Sequence, residues 1–220
     1  MKTLLRVLAG AWLAAALAAP VHATVIFNNL LPSGGFNDGV GYNIDASHVQ
    51  GDQWVAGASG NLTDLYLGIA AIPNTTGSLF LVLLADAGNA PGSLLEMFVV
   101  ANASVPSSGS GDLLHIEALG TTALVAGNAY WLLAGTGGDG QFAWGQNFLD
   151  PRDRGTHLAV CSPPACDTQE SVFTGNALRS ALRVESNPDS PNATVPEPVS
   201  LALVGMGLAG LGWSRRRRRS

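Results

Sequence analysis

Short apolar runs separated by Gly, Pro, Asn and Asp recur along the middle of this 220-residue chain. The run SLFLVLLAD is almost continuously apolar and is bounded by Gly77 and by Asp86-Ala87-Gly88, which is typical of a strand buried in a sheet. NLTDLYLGIAAI alternates apolar and polar positions imperfectly, and DLLHIEAL, NAYWLLAGT, GQFAWGQN and ALRVES follow at regular spacing. Short strands separated by turn residues predict an all-β fold, an antiparallel, jelly-roll-like β-sandwich.

Helical patterns are confined to the two ends of the chain. Residues 1–23 combine a short basic start, an apolar stretch from Val7 to Ala19 and the small-x-small site Val21-His22-Ala23. This order predicts a signal helix cleaved after Ala23, and therefore the general secretion machinery and signal peptidase as partners. A membrane anchor is the alternative, but it needs about 20 apolar residues, and this run stops at Pro20.

The other end, residues 196–220, contains a proline-acid-proline triplet, an apolar run from Val199 to Trp213 and a block of arginines. As a helix at about 1.5 Å per residue, the apolar run reaches roughly 22 Å, short of a hydrocarbon core of about 30 Å. The arginines would hold the end of the chain on the cytoplasmic side. We expect a transient transmembrane helix followed by a stop signal made of Arg215, Arg216, Arg217, Arg218 and Arg219.

This order of Pro196-Glu197-Pro198, apolar helix and arginine cluster resembles the PEP-CTERM sorting signal of exopolysaccharide-producing Gram-negative bacteria, which membrane proteases called exosortases recognise. The resemblance implies export, cleavage near the motif, and release or attachment at the cell surface or in the extracellular matrix. Pro196 and Pro198 keep the backbone extended, as a protease active site requires, and Glu197 offers a charge that the protease can recognise. The alternative is that the triplet only ends a linker before an anchor.

A polar segment rich in Pro, Asn and Ser, residues 186–195, is expected to be the linker between this tail and a β-domain over residues 24–185. Within the β-domain, Asp86, Pro91-Gly92 and Tyr130-Trp131 occur in the order seen in choice-of-anchor domains, which this region resembles. That resemblance implies a β-sandwich and supplies no catalytic residues.

Charge excludes two classes of partner for the β-domain. Between Thr24 and Pro198 the chain has four arginines, no lysine and all sixteen acidic residues, a net charge of −12. Binding nucleic acid or anionic lipid requires clustered basic side chains. We therefore expect neither ligand; the exopolysaccharide partner is what the PEP-CTERM resemblance implies.

Cys161 and Cys166 enclose a short Pro-rich segment, CSPPAC. In an oxidising compartment this pair is expected to form a disulfide that pins a surface loop. A redox or metal pair is the alternative, although the C-x-x-C spacing is missing.

The sequence shows no nucleophile elbow, phosphate loop or paired metal-binding histidines. His48, His115 and His157 are scattered, so we expect no enzymatic activity. A secreted hydrolase remains the least favoured alternative.

Three spaced acidic residues, Asp38, Asp45 and Asp52, are the basis for one metal hypothesis. Oxygen ligands of this kind suit calcium, but calcium needs at least six converging oxygens and no EF-hand-like loop is present. We expect no metal or cofactor, with calcium as the alternative.

Trp54 and Trp144 are the candidates for stacking against sugar rings, with burial in the sandwich core as the alternative. The favoured function is therefore a non-enzymatic structural or adhesive role at the cell surface or in the exopolysaccharide matrix. A carbohydrate-binding module is the alternative from another class.

Overall fold

β-strands are nearly all of the regular secondary structure in the part of the chain that the structure describes. This computed structural model describes residues 23–31, 33–146, 154–161 and 170–187, and the only helix among them is a 3₁₀ turn at Asn102–Ser104. The fourteen strands of the described residues, in chain order, are β1 (Thr24–Asn28), β2 (Asn37–Ile44), β3 (His48–Val55), β4 (Gly60–Leu67), β5 (Ile69–Ala71), β6 (Ser78–Asp86), β7 (Pro91–Val100), β8 (Leu114–Glu117), β9 (Ala123–Leu124), β10 (Ala129–Gly137), β11 (Phe142–Gln146), β12 (Arg154–Cys161), β13 (Glu170–Leu178) and β14 (Leu182–Asn187).

The strands form three sheets in which every paired strand is antiparallel to its neighbour. The largest sheet has the order β13-β12-β3-β10-β6-β7. A five-stranded sheet has the order β1-β14-β4-β8, with β9 also paired to β4, and a three-stranded sheet has the order β2-β11-β5. The predicted all-β, antiparallel, sandwich-like fold is thereby confirmed.

One apolar core joins the inner faces of the three sheets. In β6, Leu79, Leu81 and Leu83 are fully buried, and the residues between them face outward and are partly exposed. This alternation follows from the two-residue period of a strand, and burying each such side chain contributes about 2 kcal/mol. Other large core side chains are Ile26, Ile44, Trp54, Leu62, Leu65, Leu67, Ile69, Phe98, Leu114, Ile116, Leu124, Tyr130, Leu132, Phe142, Trp144 and Leu182.

The imperfect alternation in NLTDLYLGIAAI has a structural cause. Leu62, Leu65, Leu67 and Ile69 are all fully buried, although Leu62 and Leu65 differ by an odd number of positions. The register between β14 and β4 shifts once along their length, which is the mark of a bulge. The bulge restores the inward direction of the later leucines.

β1 and β14 are the first and last strands of the described residues. β1 begins at Thr24, directly after the predicted cleavage site, and β14 ends at Asn187. Ser186 and Asn187 were expected in the linker but belong to this strand, because both pair with β4. The predicted signal helix before Ala23, the rest of the linker and the sorting tail lie outside the described residues. No helix among the described residues is long and apolar enough to span a membrane.

Candidate functional site

The two tryptophans expected to stack on sugars are buried in the core. Trp54 is 1% exposed and packs against Phe27 and Tyr130, with ring centroids 5.7 and 5.2 Å away. Trp144 is 0% exposed, and its Nε1 donates a hydrogen bond to the carbonyl oxygen of Ala181 at 3.1 Å. The expectation of a sugar platform at these residues is wrong, because neither indole presents a face to solvent.

Asp86 organises the turn between β6 and β7. Its Oδ1 accepts hydrogen bonds from Trp131 Nε1 at 2.8 Å and from Gln53 Nε2 at 2.7 Å. Its Oδ2 accepts the backbone N–H groups of Gly88 and Asn89, both at 3.1 Å. One carboxylate therefore closes the turn and also binds the fully buried Trp131 of β10, the strand that pairs with β6 on its other side.

These contacts also set the charge state of Asp86. Partial burial alone would raise the pKa of the carboxyl group, but hydrogen bonds from Asn89, Trp131, Gln53 and Gly88 together lower the pKa below its usual value. The carboxylate is thus the form that the fold prefers. This gives a physical reason for the Asp86 and Tyr130-Trp131 pattern: the aspartate is the acceptor for the tryptophan of the later strand.

A second polar cluster lies inside the sandwich. Asp52 of β3 and His157 of β12 are each 3% exposed, and Asp52 Oδ1 lies 3.0 Å from His157 Nδ1. Asp52 Oδ2 accepts the backbone N–H of Ser180 at 2.8 Å. The other ring nitrogen, His157 Nε2, lies 3.0 Å from Gln50 Oε1. Each polar group of the pair therefore has a partner, as buried polar groups require.

Gln50 links this cluster to the backbone of β2. Gln50 Nε2 donates to the carbonyl oxygen of Asn43 at 2.8 Å, which turns Oε1 toward His157. The Asp52–His157 contact is therefore held in place from both sides, by Ser180 at the carboxylate and by Gln50 at the ring.

Tyr42 covers the histidine. Its ring stacks on that of His157 with centroids 3.7 Å apart, and its hydroxyl donates to the carbonyl oxygen of Leu178 at 3.0 Å. Burial raises the pKa of Tyr42 and the charge of Asp52 raises it further, whereas a hydrogen bond with Gln146 acts in the opposite direction. Chemically, the cluster cross-links β2, β3, β12 and the segment after β13. His157 Nε2 is occupied by Gln50, so this geometry is that of a structural tie.

Sequence reasoning treated Asp52 and His157 separately and missed their contact. Asp52 was grouped with Asp38 and Asp45 as a calcium hypothesis. Asp45 instead accepts the backbone N–H of Ser47 at 2.8 Å and contacts His48 Nδ1 at 2.8 Å, which closes the turn from β2 to β3. Asp52 belongs to the buried cluster, and the side chain of Asp38 lies outside those described. Within the described part of the chain, no three His, Cys, Asp or Glu side chains group as a metal site.

The third histidine that sequence analysis singled out is on the surface of β8. His115 Nε2 lies 2.7 Å from Asp64 Oδ1, and its ring stacks on Tyr66 with centroids 4.6 Å apart. The guanidinium of Arg183 lies 4.0 Å from the centre of the Tyr66 ring. These side chains form a ladder across β8, β4 and β14, which is the usual role of cross-strand pairs.

The remaining predicted site residues lie outside the described part of the chain. They are the disulfide partner Cys166 and the side chain of Cys161, the motif Pro196-Glu197-Pro198 and the arginine block from Arg215 to Arg219. The comparison with known families reaches this tail. Residues 194–218 match the family model of the PEP-CTERM protein-sorting motif.

The chain carries a PEP-CTERM sorting signal. The match covers the triplet, the apolar run and most of the arginine block, so the predicted sorting signal is confirmed. A PEP-CTERM signal implies export and processing by an exosortase, a membrane protease. No curated protein sequence matches the chain. The choice-of-anchor resemblance of the β-domain stays a prediction.

Proposed function

We propose that this protein is a non-enzymatic structural or adhesive component of the cell surface or of the exopolysaccharide matrix. In this proposal, the exosortase removes the tail near Pro196-Glu197-Pro198 and the β-sandwich is the mature product. The observation that carries the proposal is the PEP-CTERM signal at residues 194–218. The proposed removal of this tail is similar to the processing of other surface proteins, which lose a hydrophobic C-terminal tail.

The polar side chains of the β-domain support a structural role. His157, His115 and Asp86 each serve in contacts that join strands, at distances of 3.0, 2.7 and 2.8 Å to their partners. The net charge of −12 between Thr24 and Pro198 also suits a protein exposed to the extracellular solvent, since like charges oppose precipitation. Burial of Trp54 and Trp144 removes the aromatic platform that a dedicated carbohydrate-binding module would use.

The test of the sorting step compares two triple variants in the native host. In the first, Pro196, Glu197 and Pro198 are changed to Ala; the matched control changes the linker residues Pro188, Asp189 and Pro191 in the same way. Both variants lose two prolines and one carboxylate. We expect the first variant to accumulate unprocessed in the membrane fraction and the control to reach the surface or matrix like the wild type. Equal behaviour of the two variants would contradict recognition of the triplet.

The test of the mature role uses exopolysaccharide isolated from the host. We expect the purified protein to sediment with the polysaccharide without releasing new reducing ends, because a structural component binds the polymer and leaves its bonds intact. Release of reducing ends that scales with protein concentration would refute the non-enzymatic proposal and revive the hydrolase alternative.

A further inference from the structure

β7 is the outermost strand of the six-stranded sheet, and it exposes an apolar row. Leu94, Met97 and Val99 are 61%, 57% and 60% exposed. In the register with β6, Val99 lies beside Phe80 and Met97 beside Val82, and both β6 residues are partly exposed on the same face. The apolar row of β7 therefore continues onto β6 through Phe80 and Val82. Contiguous exposed apolar surface of this kind marks an interaction site.

The single charged residue of β7 points inward. Glu96 is 9% exposed, and its two carboxylate oxygens accept hydrogen bonds from the backbone N–H of Leu119 and the hydroxyl of Thr122. No other charged residue occurs between Asp86 and Asp112. The outward edge of β7 thus carries no charge, in a domain whose net charge is −12.

The edges of the five-stranded sheet are built differently. β8 has four residues and exposes His115 and Glu117, and β1 has five residues interrupted by a bulge. Outward charged side chains, short length and bulges are among the devices that prevent edge-to-edge pairing; β7 has two others, the proline at its start, Pro91, and the inward-pointing Glu96. β7 has bulges only in its first half, and from Glu96 to Val100 it pairs regularly with β6. In the described part of the chain, β7 pairs only with β6, and no strand pairs with the opposite edge of β7.

We propose that β7 is the surface through which two copies of this domain associate, edge to edge and antiparallel. Two copies whose β7 strands pair antiparallel are related by a two-fold axis. Each copy therefore contributes the same surface to the interface. Two strongly acidic domains repel one another over most of their surfaces. The outward side of β7 has no charge and exposes apolar side chains, so this repulsion is small there and pairing would bury apolar surface.

The size of the surface predicts a weak dimer. The regular part of β7, Glu96–Val100, is about 16 Å long at roughly 3.3 Å per residue. An interface built on such an edge and a few apolar side chains falls at the low end of specific contacts, below about 1,200 Å² in total. We expect a dissociation constant on the order of 10–100 μM. Because like charges oppose the contact, added salt should strengthen it.

The test is sedimentation velocity on the mature protein purified from its host, over a concentration series. The wild type should shift from monomer toward dimer as concentration rises, and more so at high salt. Met97→Lys and Val99→Lys should each weaken dimerisation at least about tenfold, because each places a charge on the pairing edge. The matched control is Val55→Lys, since Val55 is 49% exposed at the end of β3, three strands away in the same sheet.

Circular dichroism and thermal unfolding check that the lysine variants remain folded, which we expect because surface substitutions usually change stability by less than about 0.5 kcal/mol. As a second measurement on the unmodified protein, hydrogen exchange at the amides of Glu96–Val100 should slow as concentration rises. A wild type that stays monomeric into the millimolar range would overturn the proposal. Dimerisation unaffected by the β7 lysines would overturn it as well. So would monomeric protein that binds host polysaccharide or phosphatidylglycerol vesicles in a Met97-dependent way, since β7 would then serve another partner.

Discussion

Removing the carboxylate of Asp86 should weaken the six-stranded sheet measurably. In Asp86→Ala, the indole N–H of the fully buried Trp131 loses an acceptor at 2.8 Å, and the amide of Gln53 loses one at 2.7 Å. A hydrogen bond to a charged group contributes about 1.5–3 kcal/mol, and the exposed turn contacts contribute less. We therefore expect a loss of about 3 kcal/mol, which lowers Tm by roughly 6–12 °C for a domain of this size.

Asp86→Asn separates the two halves of this contact. Its remaining carbonyl oxygen can still accept from Trp131, but an NH₂ group replaces the oxygen that accepts the N–H groups of Gly88 and Asn89. We expect a smaller loss of stability than in Asp86→Ala. Thermal unfolding followed by circular dichroism at pH 7 measures both variants, with Asp112→Ala in an exposed loop as the matched control.

The pH dependence provides an independent check of the same contact. The fold lowers the pKa of Asp86, so its contribution to stability is complete above the unfolded pKa of about 3.9 and is lost as the pH falls through the lower folded value. The stability difference between wild type and Asp86→Asn should therefore shrink below about pH 4. A change in Tm of Asp86→Ala no larger than that of Asp112→Ala would refute the reasoning.

Three further predictions concern the sandwich interior. Asp52→Ala should destabilise the domain by at least about 2 kcal/mol in urea unfolding, because it removes the carboxylate contacts of the His157 ring and of the Ser180 N–H, both buried, and each buried polar group left without a partner costs about 1–3 kcal/mol; a loss under about 1 kcal/mol would contradict these contacts. Tyr42→Phe should reduce the loss of wild-type stability above about pH 10, since the fold raises the Tyr42 pKa and this contribution disappears as the hydroxyl ionises; an unchanged alkaline unfolding profile would count against it. Gly41→Ala should lower Tm, because a Cβ there would collide with the backbone of Trp144; an unchanged Tm would mean that the strands can separate at no cost.

Much of the fold could be predicted from local sequence, because strand period and turn residues are local signals. The run SLFLVLLAD became β6, whose inward leucines are fully buried, and the turn after it contains Asp86 with Gly88 at a positive φ of 76°. Asn89 adopts φ 66°, a left-handed conformation that asparagine tolerates better than most residues. Both features follow from residue types at known spacing.

The candidate sites were harder to predict, because they depend on residues far apart in sequence. Asp52 and His157 are separated by 105 positions, and only the pairing of β3 with β12 brings them together. The signal that could have indicated Asp52 is its position: it shares a strand face with Trp54, two residues later, so burial of the tryptophan implies burial of the carboxylate. The sugar-stacking hypothesis for Trp54 was wrong because this strand face is buried in the core.

The tail was predictable because its parts are contiguous. Its triplet, apolar run and arginines occupy about 25 consecutive residues, and membrane topology acts on them through length and charge alone. No tertiary contact is needed to recognise such a signal. The β-domain gives no comparable local signal for its ligand.

The most direct test of this account is the intact mass of the protein recovered from its native host, with the exosortase present and with it deleted. The account predicts a mature species that begins at Thr24 and lacks the segment after Pro196-Glu197-Pro198 only when the protease is present. Retention of Arg215 to Arg219 in both strains would contradict it, because the tail would then be an anchor that no sorting protease removes.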